Sequence, residues 1–444
     1  MHRRSNASVF MERGTKGVRD RTYRVVTLGC RVNRSDSLEI ERELSRRSFR
    51  RSPLDEPPGL WVVNTCAVTV EGMRKSRKAV RKCLLAGGEV VVTGCAVDMD
   101  PGAFEEMGVN ALVPNERKRS LVGIACGPEC HHGTAAERPL ELARVPVKVQ
   151  DGCRRYCTYC IVPYLRGRPS CREVDSVVDD VRYYRDAGAG EIILCGIDLG
   201  SYRDPSTGEG IEHLASKVSA AAGDLWVRLS SLDLSDVNGR LLSLLGEGGN
   251  LCRHLHIPLQ SGDRRVLAGM GRGYGPEEFR RKVDEIRSAV PGVSITTDVM
   301  VGFPTEDERA FENTRSFLGE MSFSRVHVFR YSPRPGTAAF SLGDPVGPID
   351  KRRRSMELRG IASATARRFH ESFIGRIIAV LIEAEMKSEP GMVFGRTEGF
   401  AGIIAPVNAD MVGRKALMRV TSTGPRWLRG EPEPYAESGR SKGR

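Results

Sequence analysis

With 444 residues, 40% of them apolar and 28% charged, the chain is long enough for two or three domains with separate cores and too apolar to be disordered throughout. No apolar run approaches the roughly 18–20 residues that span a bilayer, and the basic start lacks the apolar stretch of a secretory signal, so no membrane partner and a cytoplasmic location are expected. The net charge of +12 favours a polyanionic partner, nucleic acid first, over an acidic or neutral one.

In chain order, residues 1–21 are polar and basic and read as a disordered tail. Residues 22–125 alternate strand-like and helix-like runs. Tyr23–Leu28, Leu60–Asn64, Glu89–Thr93 and Ala111–Val113 are strands, and Ser35–Arg47 and Glu71–Ala86 are helices between them. Such alternation predicts a parallel α/β sheet with helices on its faces. A Gly-, His- and Pro-rich linker covers 126–143.

A second alternating series occupies 144–372. Its strands are Val145–Gln150, Glu191–Cys195, Trp226–Ser230, Leu255–Pro258, Ser294–Val301 and Arg325–Arg330, with helices such as Val174–Ala187, Pro276–Ala289 and Glu308–Leu318 between them. Six βα units make a partial (βα)6 barrel open along one side. A basic helix from Lys351 to about Phe369 leads to 373–424. There the short runs Ile377–Ile382, Met392–Gly395, Gly402–Ala405 and Ala416–Val420 predict a small all-β barrel. Residues 425–444 read as a disordered tail.

Twelve cysteines in a chain without a secretory signal point to metal or redox chemistry rather than structural disulfides. Cys153, Cys157 and Cys160 follow the first strand of the partial barrel. Three thiolates on a four-iron cube leave one iron open, able to chelate the amino and carboxylate groups of S-adenosylmethionine. Zinc would need a fourth ligand, and none is evident. Cys30, Cys66 and Cys95 each follow a strand of the first sheet. Carboxyl ends of parallel strands share one edge, so these three should meet and hold a second cluster. The alternative is that they are small buried core residues. Of the rest, Cys195 and Cys252 read as core, and Cys126 and Cys130 with His131 and His132 form a weaker metal-like pattern in the linker.

These residues lie in motifs that together resemble the radical S-adenosylmethionine methylthiotransferases, from about residue 22 to 423. They are Thr27-Leu-Gly-Cys30-Arg-Val-Asn33, Val63-Asn-Thr-Cys66-Ala-Val-Thr69, Val92-Thr-Gly-Cys95, Gln150-Asp-Gly-Cys153, Cys160-Ile-Val-Pro163, Arg166-Gly-Arg168, His256-Ile-Pro-Leu-Gln-Ser-Gly262, Val301-Gly-Phe-Pro304 and Tyr331-Ser-Pro-Arg-Pro-Gly-Thr337. The last β region is similar to the TRAM domain, a small RNA-binding barrel. Cys66-Ala-Val-Thr69, Arg74-Lys-Ser-Arg77 and Gly196-Ile-Asp-Leu-Gly-Ser-Tyr202 resemble the MtaB type. Departures are Cys171 where Arg is usual, Asp233 where Glu is usual and Asp263 where Ser is common.

The resemblance implies two 4Fe-4S clusters and S-adenosylmethionine as cofactors. The cluster of Cys153, Cys157 and Cys160 yields the radical, and that of Cys30, Cys66 and Cys95 carries the sulfur to be methylated and transferred. It implies C2 of N6-threonylcarbamoyladenosine, 3′ of the anticodon, as the target; the MiaB type acts on the isopentenyl-modified base and the RimO type on a ribosomal-protein aspartate. Partners would be the tRNA anticodon stem-loop and a reductant such as flavodoxin or ferredoxin. Cofactor contacts are expected at Tyr159, at Gly196 and Asp198, at Ser230 and Gln260, and at Val301, Gly302 and Phe303 where the adenine would lie. Two basic runs, Arg74 to Lys82 and Lys351 to Arg354, are expected to meet RNA phosphates. A non-enzymatic tRNA-binding metalloprotein is the alternative from a different class.

Overall fold

The structure, a computed structural model, describes residues 21–126, 143–424 and 426–433. The linker cysteine Cys130, His131, His132 and most of both expected tails lie outside the described residues. Among the described ones, no helix is long and apolar enough to cross a membrane. The chain divides into two compact units. One holds 21–126, 151–170 and 332–341; the other holds 143–150, 171–331, 342–424 and 426–433.

In the first unit, strands β1 (Thr22–Thr27), β2 (Arg50–Arg51), β3 (Leu60–Thr65), β4 (Glu89–Gly94) and β5 (Ala111–Val113) form a parallel sheet in the order β2-β1-β3-β4-β5. The alternation of side chains along a strand sends Trp61, Val63, Val90 and Val92 into one core and Leu60, Val62 and Val91 into another on the opposite face. Both faces are covered, so these strands read as continuous apolar runs. Helix Val70–Ala86 buries Met73, Ser76, Val80 and Cys83 along one stripe, the spacing of an amphipathic helix.

In the second unit, β6 (Arg144–Lys148) precedes two-residue strands β7 (Gln150–Asp151) and β8 (Ser170–Cys171). The six long strands are β6, β9 (Glu191–Cys195), β10 (Trp226–Leu229), β11 (His254–His256), β12 (Ser294–Val301) and β13 (Arg325–Arg330). They form two parallel three-stranded sheets, β6-β9-β10 and β11-β12-β13, linked by isolated bridges Val227–Leu251 and Ser231–His256. The result is the open six-stranded arc expected. Strands β14 (Ile377–Glu385), β15 (Val393–Thr397), β16 (Gly402–Ala405), β17 (Lys415–Thr423) and β18 (Leu428–Pro432) close a barrel in the order β14-β15-β16-β18-β17. This corrects one boundary. Residues 428–432, expected in the disordered tail, form the closing strand, because Leu428 enters the barrel core and both neighbours supply backbone partners.

The small barrel grips the arc through a loop that starts at Thr397 and ends at Phe400. The Phe400 ring stacks on His254 at 5.1 Å and faces the guanidinium groups of Arg396 at 4.5 Å, Arg144 at 5.0 Å and Arg228 at 5.2 Å. Arg144, His254 and Glu191 are the first residues of their strands, so the loop plugs the bottom of the arc. Glu191 is fully buried and accepts from Arg228 at 2.9 Å and Arg144 at 2.7 Å. Burial opposes its ionisation, but the two arginines outweigh that and hold its pKa down to about 2.

A folded pKa below the unfolded value of about 4.3 means that this carboxylate stabilises the protein above about pH 4.3 and loses that contribution as pH falls toward its folded value. Glu191→Gln should cost about 3–5 kcal/mol at neutral pH, the penalty for breaking a buried ion pair, and flatten the acid limb. Thermal denaturation of both proteins across a pH series checks this; equal stability and an identical acid limb would refute it.

Candidate iron–sulfur and cofactor sites

Both cysteine trios belong to the first unit. The segment with Cys153, Cys157 and Cys160 continues from the first barrel strand, yet it groups with the N-terminal sheet, as does 332–341.

Strand register sets the first trio. Thr27 pairs with Asn64, and Thr65 with Gly94, so three strand ends lie level. Cys30 precedes helix Arg31–Arg46, Cys66 follows β3, and Cys95 opens helix Cys95–Met99. The thiols of Cys30 and Cys95 both interact electrostatically with that of Cys66; burial, the larger influence, also pushes the Cys66 thiol up. All three thus stand at the level carboxyl ends of neighbouring strands, the edge at which the sequence placed them. Among the described residues no three Cys, His, Asp or Glu groups are close enough to chelate one metal ion. A four-iron cube binds each thiolate through a different iron, so wider spacing suits it, and an all-thiolate donor set matches iron–sulfur chemistry.

Close approach of the loops depends on glycine. Gly29 has φ +94°, and a Cβ there would meet Cys66 Cβ at 2.8 Å and Sγ at 2.9 Å. Gly94, at φ +97°, would drive a Cβ to 2.4 Å from the Thr65 carbonyl. Polar side chains then staple the edge. Asn33 donates to the carbonyls of Leu28 at 2.8 Å and Thr65 at 2.9 Å. Asn64 donates to the Asn33 carbonyl at 2.8 Å. Ser76 accepts from the Cys66 backbone N–H at 3.0 Å, and Asn115 Nδ2 lies 3.7 Å from Cys95 Sγ.

The second trio lies in a tight loop. Cys153 donates its backbone N–H to the Gly167 carbonyl at 3.2 Å and Cys160 to that of Cys157 at 2.9 Å. Gly152, with φ +76°, could not carry a Cβ, which would lie 2.3 Å from the Arg168 carbonyl. All three cysteines, like Tyr159, are half-buried. The Ala339 backbone donates to the Thr158 carbonyl at 2.8 Å.

Sequence reading quoted Arg166 in a motif without giving it a role. Its side chain is 1% exposed and binds both Asp151 oxygens, at 2.8 and 2.9 Å, with Asp36 3.6 Å away. It also donates to the Asn33 amide oxygen. Burial works against its charge, but Cys95, Asp151, Asp36 and Cys30 together overcome it and hold its pKa above the usual arginine value. Arg166 thus ties the three-cysteine segment to the edge that carries the other trio. Arg334, likewise quoted without a role, is a second buried arginine in this unit.

In the second unit, the expected contacts lie at the carboxyl ends of the arc's strands. Gln150 accepts from the Asp198 backbone N–H at 2.8 Å, and its side chain fills the space a Cβ on Gly196 would need. Ser230 is buried with an unpartnered hydroxyl. Gln260 is left-handed at φ +72° and bonds through its backbone to Asp298 and Met300. Val301 and Phe303 are fully buried, and Phe303 packs edge-to-face on Tyr331 at 5.5 Å. Lys351 covers the Cα of Gly302. The side chains of Val301 and Phe303 are thus taken up by the core. The three departures from the family pattern fit locally. Asp263 caps helix Arg264–Gly269, Asp233 pairs with Arg272, and the Cys171 sulfur accepts from the Arg203 backbone.

One expectation is overturned. Lys351 to Arg354 is no open basic run. Lys351 and Arg354 are buried; Lys351 pairs with Asp344, and Arg354 with Glu306 at 2.7 Å and Glu308 at 3.0 Å. Arg353 is committed to Glu308 at 2.8 Å and Glu357 at 3.0 Å. On helix Val70–Ala86, by contrast, Lys75, Lys78, Arg81 and Lys82 are exposed.

Gly29→Ala should fold but reconstitute anaerobically with about half the iron of the parent, because its methyl group displaces Cys66. Circular dichroism and iron analysis test this; full iron content would count against a cluster at this edge.

A family profile described as "Radical SAM superfamily" matches residues 147–318, and one described as "Uncharacterized protein family UPF0004" matches 22–113. "Threonylcarbamoyladenosine tRNA methylthiotransferase MtaB" of Thermotoga maritima is 32% identical over 378 residues, covering 82% of this chain and 87% of its own. The Bacillus subtilis protein of the same name is 28% identical over 90% of this chain and 93% of its own. "tRNA-2-methylthio-N(6)-dimethylallyladenosine synthase" of Chlorobium luteolum is 30% identical over 93% and 97%. A radical S-adenosylmethionine methyltransferase, TsrM, from Kitasatospora setae shares the fold, with a TM-score of 0.55 at 14% identity over 72% of this chain and 77% of that one. With both profiles matched and a relative 32% identical over most of its length, the chain belongs to the radical S-adenosylmethionine methylthiotransferase family.

Proposed function

We propose that this enzyme methylthiolates tRNA at C2 of N6-threonylcarbamoyladenosine beside the anticodon, using two 4Fe-4S clusters and S-adenosylmethionine. The observation that carries the reading is the presence of two thiolate trios in one compact unit, one of them gathered at the carboxyl edge of a parallel sheet. MtaB relatives at 28% and 32% identity support the substrate. A relative named for the dimethylallyl base, at 30%, supports the second reading, methylthiolation of that base.

When bound, a cluster with an open iron supplies the electron that cleaves S-adenosylmethionine to a carbon radical. The residues do the positioning. Cys153, Cys157 and Cys160 hold the radical-forming cluster in a loop fixed by backbone bonds. Cys30, Cys66 and Cys95 hold the sulfur-bearing cluster where Asn33, Asn64 and Ser76 fix the loops. The unpartnered Ser230 hydroxyl is a donor in reserve for the cofactor, beside Gln150, Asp198 and the backbone of 301–303 at the same ends of the arc. Lys75, Lys78, Arg81 and Lys82 provide a cationic helix face for RNA phosphates, next in sequence to a cluster ligand, and the target base is unstacked to react.

Replacing Cys30, Cys66 and Cys95 together by Ala should halve the iron content, to about four atoms per chain; unchanged iron would argue for a single cluster. Nucleoside mass spectrometry of tRNA from a deletion strain should show loss of the methylthiolated threonylcarbamoyl nucleoside. Its persistence, with loss of the isopentenyl derivative instead, would move the assignment to the second reading. Glu at positions 75, 78, 81 and 82 should raise KM for tRNA and flatten its salt dependence by about 0.7–0.9 in log–log slope per lost phosphate contact. An unaltered slope would place the RNA elsewhere.

A further inference from the structure

Arg334 is the anomaly among the buried arginines. Arg228 faces Glu191, Arg354 faces Glu306, and Arg166 faces Asp151 and Asp36. Arg334 is 5% exposed, yet its Nε has no acceptor and no carboxylate is among its described partners. Its guanidinium lies 3.2 Å from the sulfur of Met99, at the far end of the short helix that Cys95 opens. Its segment thus packs against the helix that follows Cys66 and the one that Cys95 opens. The segment is held in place independently of that charge. The Thr337 hydroxyl and backbone N–H both donate to the Arg334 carbonyl, at 2.7 and 3.2 Å, and Ser332 accepts from the Val70 backbone at 3.3 Å.

A buried cation without an anion is costly, and it is retained where an anion completes it. We propose that Arg334 is the counter-charge of an iron–sulfur cluster held by Cys30, Cys66 and Cys95, a positioning residue that sets how readily that cluster accepts an electron. The inference rests on the reading of that trio as cluster ligands. Three thiolates outweigh the positive charge of an oxidised cube, and reduction or an added sulfide makes the site more negative still. A nearby fixed cation favours the reduced form, as partners beyond the ligands tune other metal sites. Arg166 cannot take this role alone, because two carboxylates already share its charge.

The test uses the full chain with Cys153, Cys157 and Cys160 replaced by Ala, so that only the first trio can bind iron. Reconstituted parent, Arg334→Met and Arg334→Lys are compared by iron content, redox titration followed by electron paramagnetic resonance, and thermal stability with and without iron. The parent should hold about four irons per chain. Arg334→Met should hold the same cluster at a lower reduction potential, with Arg334→Lys restoring most of the shift. Without iron, Arg334→Met should melt at a higher temperature than the parent, since a lone buried charge is gone; a purely structural arginine would give the opposite sign. A parent that takes up no iron overturns the reading of the trio and this pairing with it. A parent that takes up iron, with an Arg334→Met potential unchanged or equally lowered in the Lys variant, overturns the role of Arg334 alone.

Discussion

A guanidinium almost sealed from water, that of Arg166, is the interaction on which the first unit depends. Burial alone would drive the charge out. It stays because carboxylates from two parts of the chain and thiols from two sheet loops surround it. Asp151 lies just before the three-cysteine loop, Asp36 on the first helix, and Cys30 and Cys95 at the sheet edge. The arrangement makes the position of one trio conditional on that of the other. Asp36 is itself shared with the buried amine of Lys118, at 2.8 Å, which also reaches Asn64. A chain of charged and amide groups therefore runs from the 3-10 turn after β5, through the edge of the sheet, to the cysteine loop.

Around that chain the backbone comes closer than ordinary side chains permit. Gly29, Gly94 and Gly152 all lie in the left-handed region of φ, and each has a neighbour where its Cβ would be. Glycine is conformationally costly to order, and here that cost brings loops near enough for thiols and carbonyls to gather. The second unit meets a comparable demand differently. A loop carrying a left-handed Phe400 is inserted among four arginines, and aromatic and ionic contacts close the floor of the arc.

Strands buried on both faces and helices with a clear apolar stripe were legible from the residues, because burial and period are local properties. The runs at Glu191–Cys195, Ser294–Val301, Arg325–Arg330 and Gly402–Ala405 coincide with observed strands. The strand Leu428–Pro432 was not legible. Apart from Leu428 its residues are Gly, Pro and charged, and its order comes from pairing with two other strands. That Cys30, Cys66 and Cys95 stand at one sheet edge was legible from parallel-strand geometry. The roles of Arg166 and Arg334 were not, since nothing in either motif says that the side chain turns inward. Helix phase explains the misreading of Lys351 to Arg354: residues three apart share a face, so 351 and 354 point into the protein and only 352 and 353 reach solvent.

The division of the chain carries a consequence for biosynthesis. The unit that bears all six candidate cluster cysteines is not contiguous; it is completed by Ser332–Ser341, which emerges from the ribosome after most of the arc. Pairing segments so distant is slow relative to local folding. The N-terminal sheet can form early, but its carboxyl edge lacks the contacts of that late segment until it arrives. A chain cut short before Ser332 would lack the segment that bonds to Val70 and Thr158 in that unit.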